Sequence, residues 1–126
     1  MNINVQWDND EKTIILQTYA PQWNWQDVHD ARTESRKLLD SVLHKVHFIS
    51  DMQKSPRIPS NYMKQVETLV QNIHPNTGLF ITVTSNPLVK ELFYIFSAMR
   101  GGVDFEYRFA LTVDEARQIL RNWTGC

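Results

Sequence analysis

A chain of 126 residues is the size of one ordinary domain, long enough for a single hydrophobic core. Its 42% hydrophobic and 11% aromatic residues exclude a disordered chain, and 13 basic against 14 acidic residues, net charge -1, exert no overall pull on nucleic acid or an anionic membrane. The single cysteine, Cys126, excludes an intrachain disulfide, and a thiol at the last position has nothing to hold it as a nucleophile.

Ile3, Val5 and Trp7 alternate with Asn4 and Gln6, which predicts a strand with one buried face. Asp8-Asn9-Asp10-Glu11 reads as a turn. Thr13 to Tyr19 is the second strand of an antiparallel hairpin. Pro21 ends it. Asn24 with Asp27 three residues on is a variant capping box, opening a helix that runs to about Val42 with Val28, Ala31, Leu38, Leu39 and Val42 on one face. Val46 to Ile49 is a short strand ending at Asp51, and the prolines at 56 and 59 make residues 52–59 a loop.

Ser60 caps a second helix in this reading, with Tyr62, Met63, Val66, Leu69, Val70 and Ile73 as its core face and Pro75-Asn76-Thr77-Gly78 as its stop. Leu79 to Thr84 is a near-continuous apolar run, as expected of a central parallel strand covered on both faces. Asn86 caps the third helix and Pro87 sits in its first turn. Its apolar positions, Leu88 to Met99, cover more than one sheet face needs, and Gly101-Gly102 ends it. Val103, Phe105, Tyr107 and Phe109 alternate with Asp104, Glu106 and Arg108, a strand with one wet face. It runs into a helix capped by Thr112 whose apolar face is Ala116, Ile119, Leu120 and Trp123.

The expected fold is therefore α/β: one five-stranded mixed sheet and about four helices in the order β-β-α-β-α-β-α-β-α, as a single domain over residues 1–126. The first strand is expected at an edge and Leu79 to Val83 as the most buried strand. No apolar stretch approaches the about 18 residues of a membrane span, so no membrane insertion is expected. Met1-Asn2-Ile3-Asn4 lacks the basic segment and apolar run of a signal peptide, which predicts a cytoplasmic, bacterial-type protein.

This element order, the length and the final strand-turn-helix resemble the STAS domain, the fold of the bacterial anti-sigma-factor antagonists. Small STAS-like proteins of uncharacterised role carry openings similar to Trp7-Asp8-Asn9-Asp10-Glu11-Lys12-Thr13-Ile14 and aromatic segments similar to Trp23-Asn24-Trp25-Gln26-Asp27. The resemblance implies a regulatory protein-interaction module rather than an enzyme. It also implies a phosphoacceptor serine at the start of the second helix. Of the Asp-Ser-Ser-Gly-Leu type motif only Ser60 is retained here, flanked by Pro59, Tyr62 and Met63.

Beside that resemblance the residues offer four candidates. Ser60 is a phosphoacceptor or a plain helix cap. Asp51, Lys54, Ser55 and Arg57, with Thr84, Ser85 and Asn86, leave the carboxyl ends of adjacent central strands, where open α/β sheets bind ligands and helix N-termini attract anions. A small anionic ligand or nucleotide would fit there, although no Gly-rich phosphate loop is present. Phe93 and Tyr94 on the third helix are candidate interface residues for a protein partner or a second copy of the chain. Trp7, Trp23 and Trp25 form either an aromatic ligand pocket or a packed plug. His29, His44, His47 and His74 match no zinc spacing, and no paired carboxylates, Ser-His-Asp set or cysteine dyad can be read from the spacing. The expectation is thus no cofactor, no metal, no catalysis, and no nucleic-acid partner.

Overall fold

The computed structural model describes residues 2–55, 57–98 and 105–123. Five strands and four helices follow the order read from the sequence: β1 Ile3–Trp7, β2 Ile14–Tyr19, α1 Trp25–Asp40, β3 Val46–Asp51, α2 Tyr62–Leu69, β4 Thr77–Val83, α3 Pro87–Ala98, β5 Tyr107–Ala110 and α4 Val113–Arg121. The strands form one mixed sheet in the order β1-β2-β3-β4-β5. β1 pairs antiparallel with β2, and the remaining pairs are parallel. Met99, the expected Gly101-Gly102 stop, Val103, Asp104, Pro56 and Cys126 lie outside the described residues.

Short-range chemistry accounts for most boundaries. In the β1–β2 turn Asn9 Oδ1 accepts from the amides of Thr13 (3.0 Å) and Ile14 (3.3 Å), while Lys12 takes a positive φ of 58°. At α1, Asn24 Oδ1 accepts from the Asp27 amide at 2.9 Å and Asp27 Oδ2 accepts from the Asn24 amide at 3.0 Å, a complete capping box. The Asp27 carboxylate also accepts from the amide and side chain of Asn2, tying the chain start to α1. These bonds, the Asn24 amide foremost, hold Asp27 below the usual carboxylate range. Thr112 Oγ1 accepts from the Glu115 amide at 3.0 Å and caps α4.

β3 and β4 are the interior strands of the parallel set. Leu79, Ile81 and Val83 are at most 1% exposed, as are Val46 and Ile49. A bulge interrupts their pairing between Val46 and Phe48, so that Gly78 and Leu79 together face His47. His47 Nδ1 accepts from the Leu79 amide at 2.9 Å and satisfies the donor that the bulge removes from the ladder. Gly78 is required there, since a Cβ would lie 2.6 Å from His47 Nδ1. Burial pushes the His47 pKa below its ordinary value.

The two sheet faces are covered differently. α4 alone covers one face, over Ile49, Leu79, Ile81, Val83 and Ala110, with Ala116 fully buried and Ile119, Leu120 and Trp123 packed around it. Arg117 bolts this helix to the hairpin turn: its Nε and Nη2 donate to Asp8 Oδ2 at 2.9 Å and Oδ1 at 2.7 Å. The Asp8 side chain is only 7% exposed, and its hydrogen bond raises the Arg117 pKa further. The opposite face carries α1, α2 and α3.

Two expectations about the second helix are corrected. Its N-cap is Asn61, in the left-handed region at φ 68°, with no side-chain capping bond; Ser60 lies one residue outside. Asparagine tolerates that conformation, and serine does so less readily. The helix is also shorter than its apolar pattern. It stops at Leu69, followed by a turn in which Asn72 takes φ 54°. Tyr62, Met63, Val66 and Leu69 were expected to be core, yet none of the helix's residues is buried.

Candidate functional site

No residue of α2 is buried, although Leu69 packs against the cluster of Ile3, Tyr19, Trp23, Val28 and Ala31. A cavity of about 200 Å³ lies between much of the helix and the sheet. Its floor is the sheet face formed by Gln17 and Tyr19 of β2, Phe48 and Ser50 of β3, and Phe80 and Thr82 of β4. Its walls are Val28, Ala31 and Leu39 of α1 and Val89, Leu92 and Phe93 of α3, and Val66 and Leu69 of α2 roof it. Trp23, Trp25, Met52 and Ile58 close the end near the carboxyl end of β3. At the other end, beside the turn that leads into β4, stand Arg32, Arg36 and His74 with Val70 and Ile73.

α2 and the segments at its two ends hang from α1 by polar bonds. Trp25 Nε1 donates to the Ser60 carbonyl at 2.8 Å, His29 Nε2 donates to Gln65 Oε1 at 2.8 Å, and Arg32 Nη2 donates to the Gln71 carbonyl at 2.6 Å and that of Asn72 at 3.1 Å. Arg36 Nη1 adds a donation to the Asn72 carbonyl at 2.8 Å. Trp25, His29, Arg32 and Arg36 are spaced by four, three and four residues, one stripe of a helix beside its apolar face. That stripe is the signal the sequence held for this architecture. Polar suspension fixes the helix at a distance that apolar packing would have closed.

On the floor and at the tryptophan end of the cavity the polar side chains have protein partners. Gln17 Nε2 donates to Ser35 Oγ at 3.0 Å, and Trp23 Nε1 donates to Ser55 Oγ. Tyr19 hydrogen-bonds Ser50, but burial dominates and its pKa is pushed up to about 12, so the phenol stays neutral. Among the described residues no buried side-chain nitrogen or oxygen lacks a partner. The lining contains no carboxylate. Trp23 is buried in edge-to-face contact with both Tyr19 and Trp25, at centroid distances of 5.1 and 5.2 Å. The tryptophan pair is therefore both packed and cavity-lining, while Trp7 sits apart in the cluster around Ile15, Leu39 and Val46.

The sheet edge proposed from the sequence exists as a separate groove of about 450 Å³ lined by Gln53, Ser55, Thr84, Ser85, Asn86 and Leu111, among others. Ser55, Ser85 and Asn86 meet there. Asp51, Lys54 and Arg57 do not line it, and Asp51 Oδ1 instead accepts from the amide and side chain of Gln53, both at 3.0 Å. Of the two helix N-termini expected there only that of α3 borders the groove, and Asn86 Oδ1 already accepts from the Leu88 amide at 2.9 Å. Ser55 is engaged by Trp23.

The interface candidates also separate. Phe93 packs into an aromatic row with Phe105, Tyr107 and Phe109, which explains why the apolar arc of α3 is so wide. Tyr94 is 61% exposed. The histidines serve unrelated local bonds: His44 to the Lys12 carbonyl, His74 to Asp40 and the Asn76 amide, and His29 and His47 as above. Among the described residues no group of His, Cys, Asp and Glu is placed to hold a metal, and no helix is long and apolar enough to cross a membrane. No family model, curated protein or solved structure matches the chain.

Proposed function

We propose that this chain is a non-catalytic regulatory module, STAS-like in its element order, that binds a small apolar molecule between its sheet and α1–α3. The cavity under α2 carries the reading. The space is lined almost entirely by apolar side chains and opens to solvent, so a small molecule can enter it and bury apolar surface there. An apolar cavity of about 150 Å³ already accepts benzene, so this one takes at least a single ring or a medium acyl chain. The self-paired polar lining supports binding over chemistry, since none of its groups is arranged as a nucleophile with its base.

The regulatory step is a change in α2. A ligand adds apolar contacts to the half-buried Val66 and Leu69, and fixes the outer face of the helix for a partner protein. Decanol is a suitable neutral probe. It is expected to alter Trp23 and Trp25 fluorescence saturably and to raise the melting temperature, because a ligand for the native state stabilises it by mass action. No saturable change up to the solubility limit would reject the reading.

The exposed Tyr94 and Leu111, 61% and 59% accessible, flank the edge strand β5 and favour a second reading in which a further copy of the chain docks there. Tyr94→Lys then shifts a dimer toward monomer in sedimentation, and a wild-type chain that is monomeric throughout contradicts it.

A further inference from the structure

The charged groups that line the cavity are both cations, and they sit together. Arg32 and Arg36 are one helical turn apart on α1, at the end of the cavity away from the tryptophans. Like charges at that spacing repel. The carboxylates that α1 carries nearby are committed elsewhere: Glu34 pairs with Lys37 at 3.1 Å and Asp40 with His74 at 2.7 Å. Among the described residues no carboxylate makes an ion pair with either arginine. Among the described residues their protein acceptors are the carbonyls of Gln71 and Asn72, reached by Arg32 Nη2 and Arg36 Nη1. Arg36 keeps Nε and Nη2, the side-on fork that suits a carboxylate, for another acceptor, and Arg32 keeps Nε and Nη1 as single donors. Burial, with Arg36 adding to it, lowers the Arg32 pKa, so the charge there is under-compensated. The chain as a whole is slightly acidic, so this cationic rim is local rather than a reflection of composition.

We infer that the ligand of this cavity is an amphipathic monocarboxylate, its apolar body lying along the floor beneath α2 and its carboxylate on Arg32 and Arg36. This rests on the apolar-binding reading above and adds the head group to it. The placement also couples binding to α2. The same two guanidiniums hold the turn after α2, so an anion on them balances their charge as the tail fills the space under the helix.

The test compares decanoate with decanol, equal in tail and different in head, below their aggregation concentrations. Tryptophan fluorescence and calorimetry read the affinities. Decanoate is expected to bind the wild-type chain about tenfold or more tighter than decanol, the usual worth of charge-assisted hydrogen bonds. The double variant Arg32→Met, Arg36→Met should lose that preference, read as the ratio of the two affinities on the same variant, because any change in the roof from loss of the carbonyl bonds acts on both probes alike. If that variant fails to fold, Arg36→Gln alone, with its melting temperature monitored, is expected to narrow the preference. Equal affinity of the two probes for the wild-type chain overturns the carboxylate assignment and leaves an apolar site standing. Failure of both probes to bind overturns the apolar site itself. A preference for decanoate that survives loss of both arginines also overturns the assignment.

Discussion

The two faces of this sheet solve the same covering problem in opposite ways. On one face a single nine-residue helix, α4, settles directly onto the strands, with Ala116 fully buried over Ile81 and Val83 and Arg117 locking it to Asp8. On the other face three helices enclose space. α1 and α3 reach the sheet, while α2 is carried by the Trp25, His29, Arg32 and Arg36 side chains above a cavity. The difference lies in what faces the strands. A small alanine at the centre of α4 admits close approach. On the other side the floor includes Gln17, Ser50 and Thr82, each buried, and the roof has no fully buried residue. One face is a packed core, and the other is a receptacle.

Large-to-small changes separate the faces most strongly. Ile81→Ala, in the packed face, is expected to cost about 3 kcal/mol, the usual penalty for a buried aliphatic with no room to collapse. Leu69→Ala, in the roof, is expected to cost about 1 kcal/mol or less, because the side chain already borders empty space. Urea unfolding gives both numbers, and equal losses would break the comparison.

Small-to-large changes should invert the sign. Ala116→Leu forces an extra volume into a closed layer and is expected to destabilise by about 1–3 kcal/mol. Val66→Phe fills the receptacle and is expected to stabilise by about 0.5–1 kcal/mol while abolishing decanol binding. A destabilised, still-binding Val66→Phe protein would mean that α2 does not stand over a fillable space.

Acid should act on the strand pair between the faces. Burial lowers the folded-state pKa of His47 below the unfolded value of about 6.5. Its stabilising contribution is therefore complete above about pH 6.5 and is lost as pH falls from there through the lowered folded-state value. Protonation of Nδ1 also removes the acceptor of the Leu79 amide. His47→Asn retains an acceptor without titrating, so its stability should fall less steeply across this range. An identical slope in wild type and variant would contradict the assignment.

The smallest effect is expected at Ser60. Only its backbone carbonyl is engaged, by Trp25, and Asn61 occupies the cap position. Ser60→Ala should change stability by less than about 0.5 kcal/mol, as for other exposed positions, and a loss near 1 kcal/mol would restore serine as the cap.

The order and type of every element were legible because the signals were local. Asn24 with Asp27, Thr112 before α4 and the apolar run Leu79 to Val83 each act within a few residues. The cavity was not legible. Periodicity says which side of α2 faces the sheet but not how far away it stands, so Val66 and Leu69 read as core when they are a roof. Serine and asparagine are both good caps, and the left-handed conformation at Asn61 decides between Ser60 and Asn61. The carboxyl-edge residues were grouped from topology alone. Topology brought Ser55, Ser85 and Asn86 together and left Asp51, Lys54 and Arg57 outside. The Arg32–Arg36 pair carries no signal of its own in the sequence, because its meaning depends on the turn after α2 lying against α1.

The central claim is that one face of the sheet contains an apolar receptacle and the other does not. Xenon reports this most directly, because it enters apolar voids by size and polarizability and needs no knowledge of the natural ligand. Crystals pressurised with xenon are predicted to show a site bounded by Trp25, Val66, Leu69 and Leu92, with none between α4 and the sheet. Xenon under α4, or α2 collapsed onto Phe48 and Phe80 with no xenon beneath it, would contradict the account.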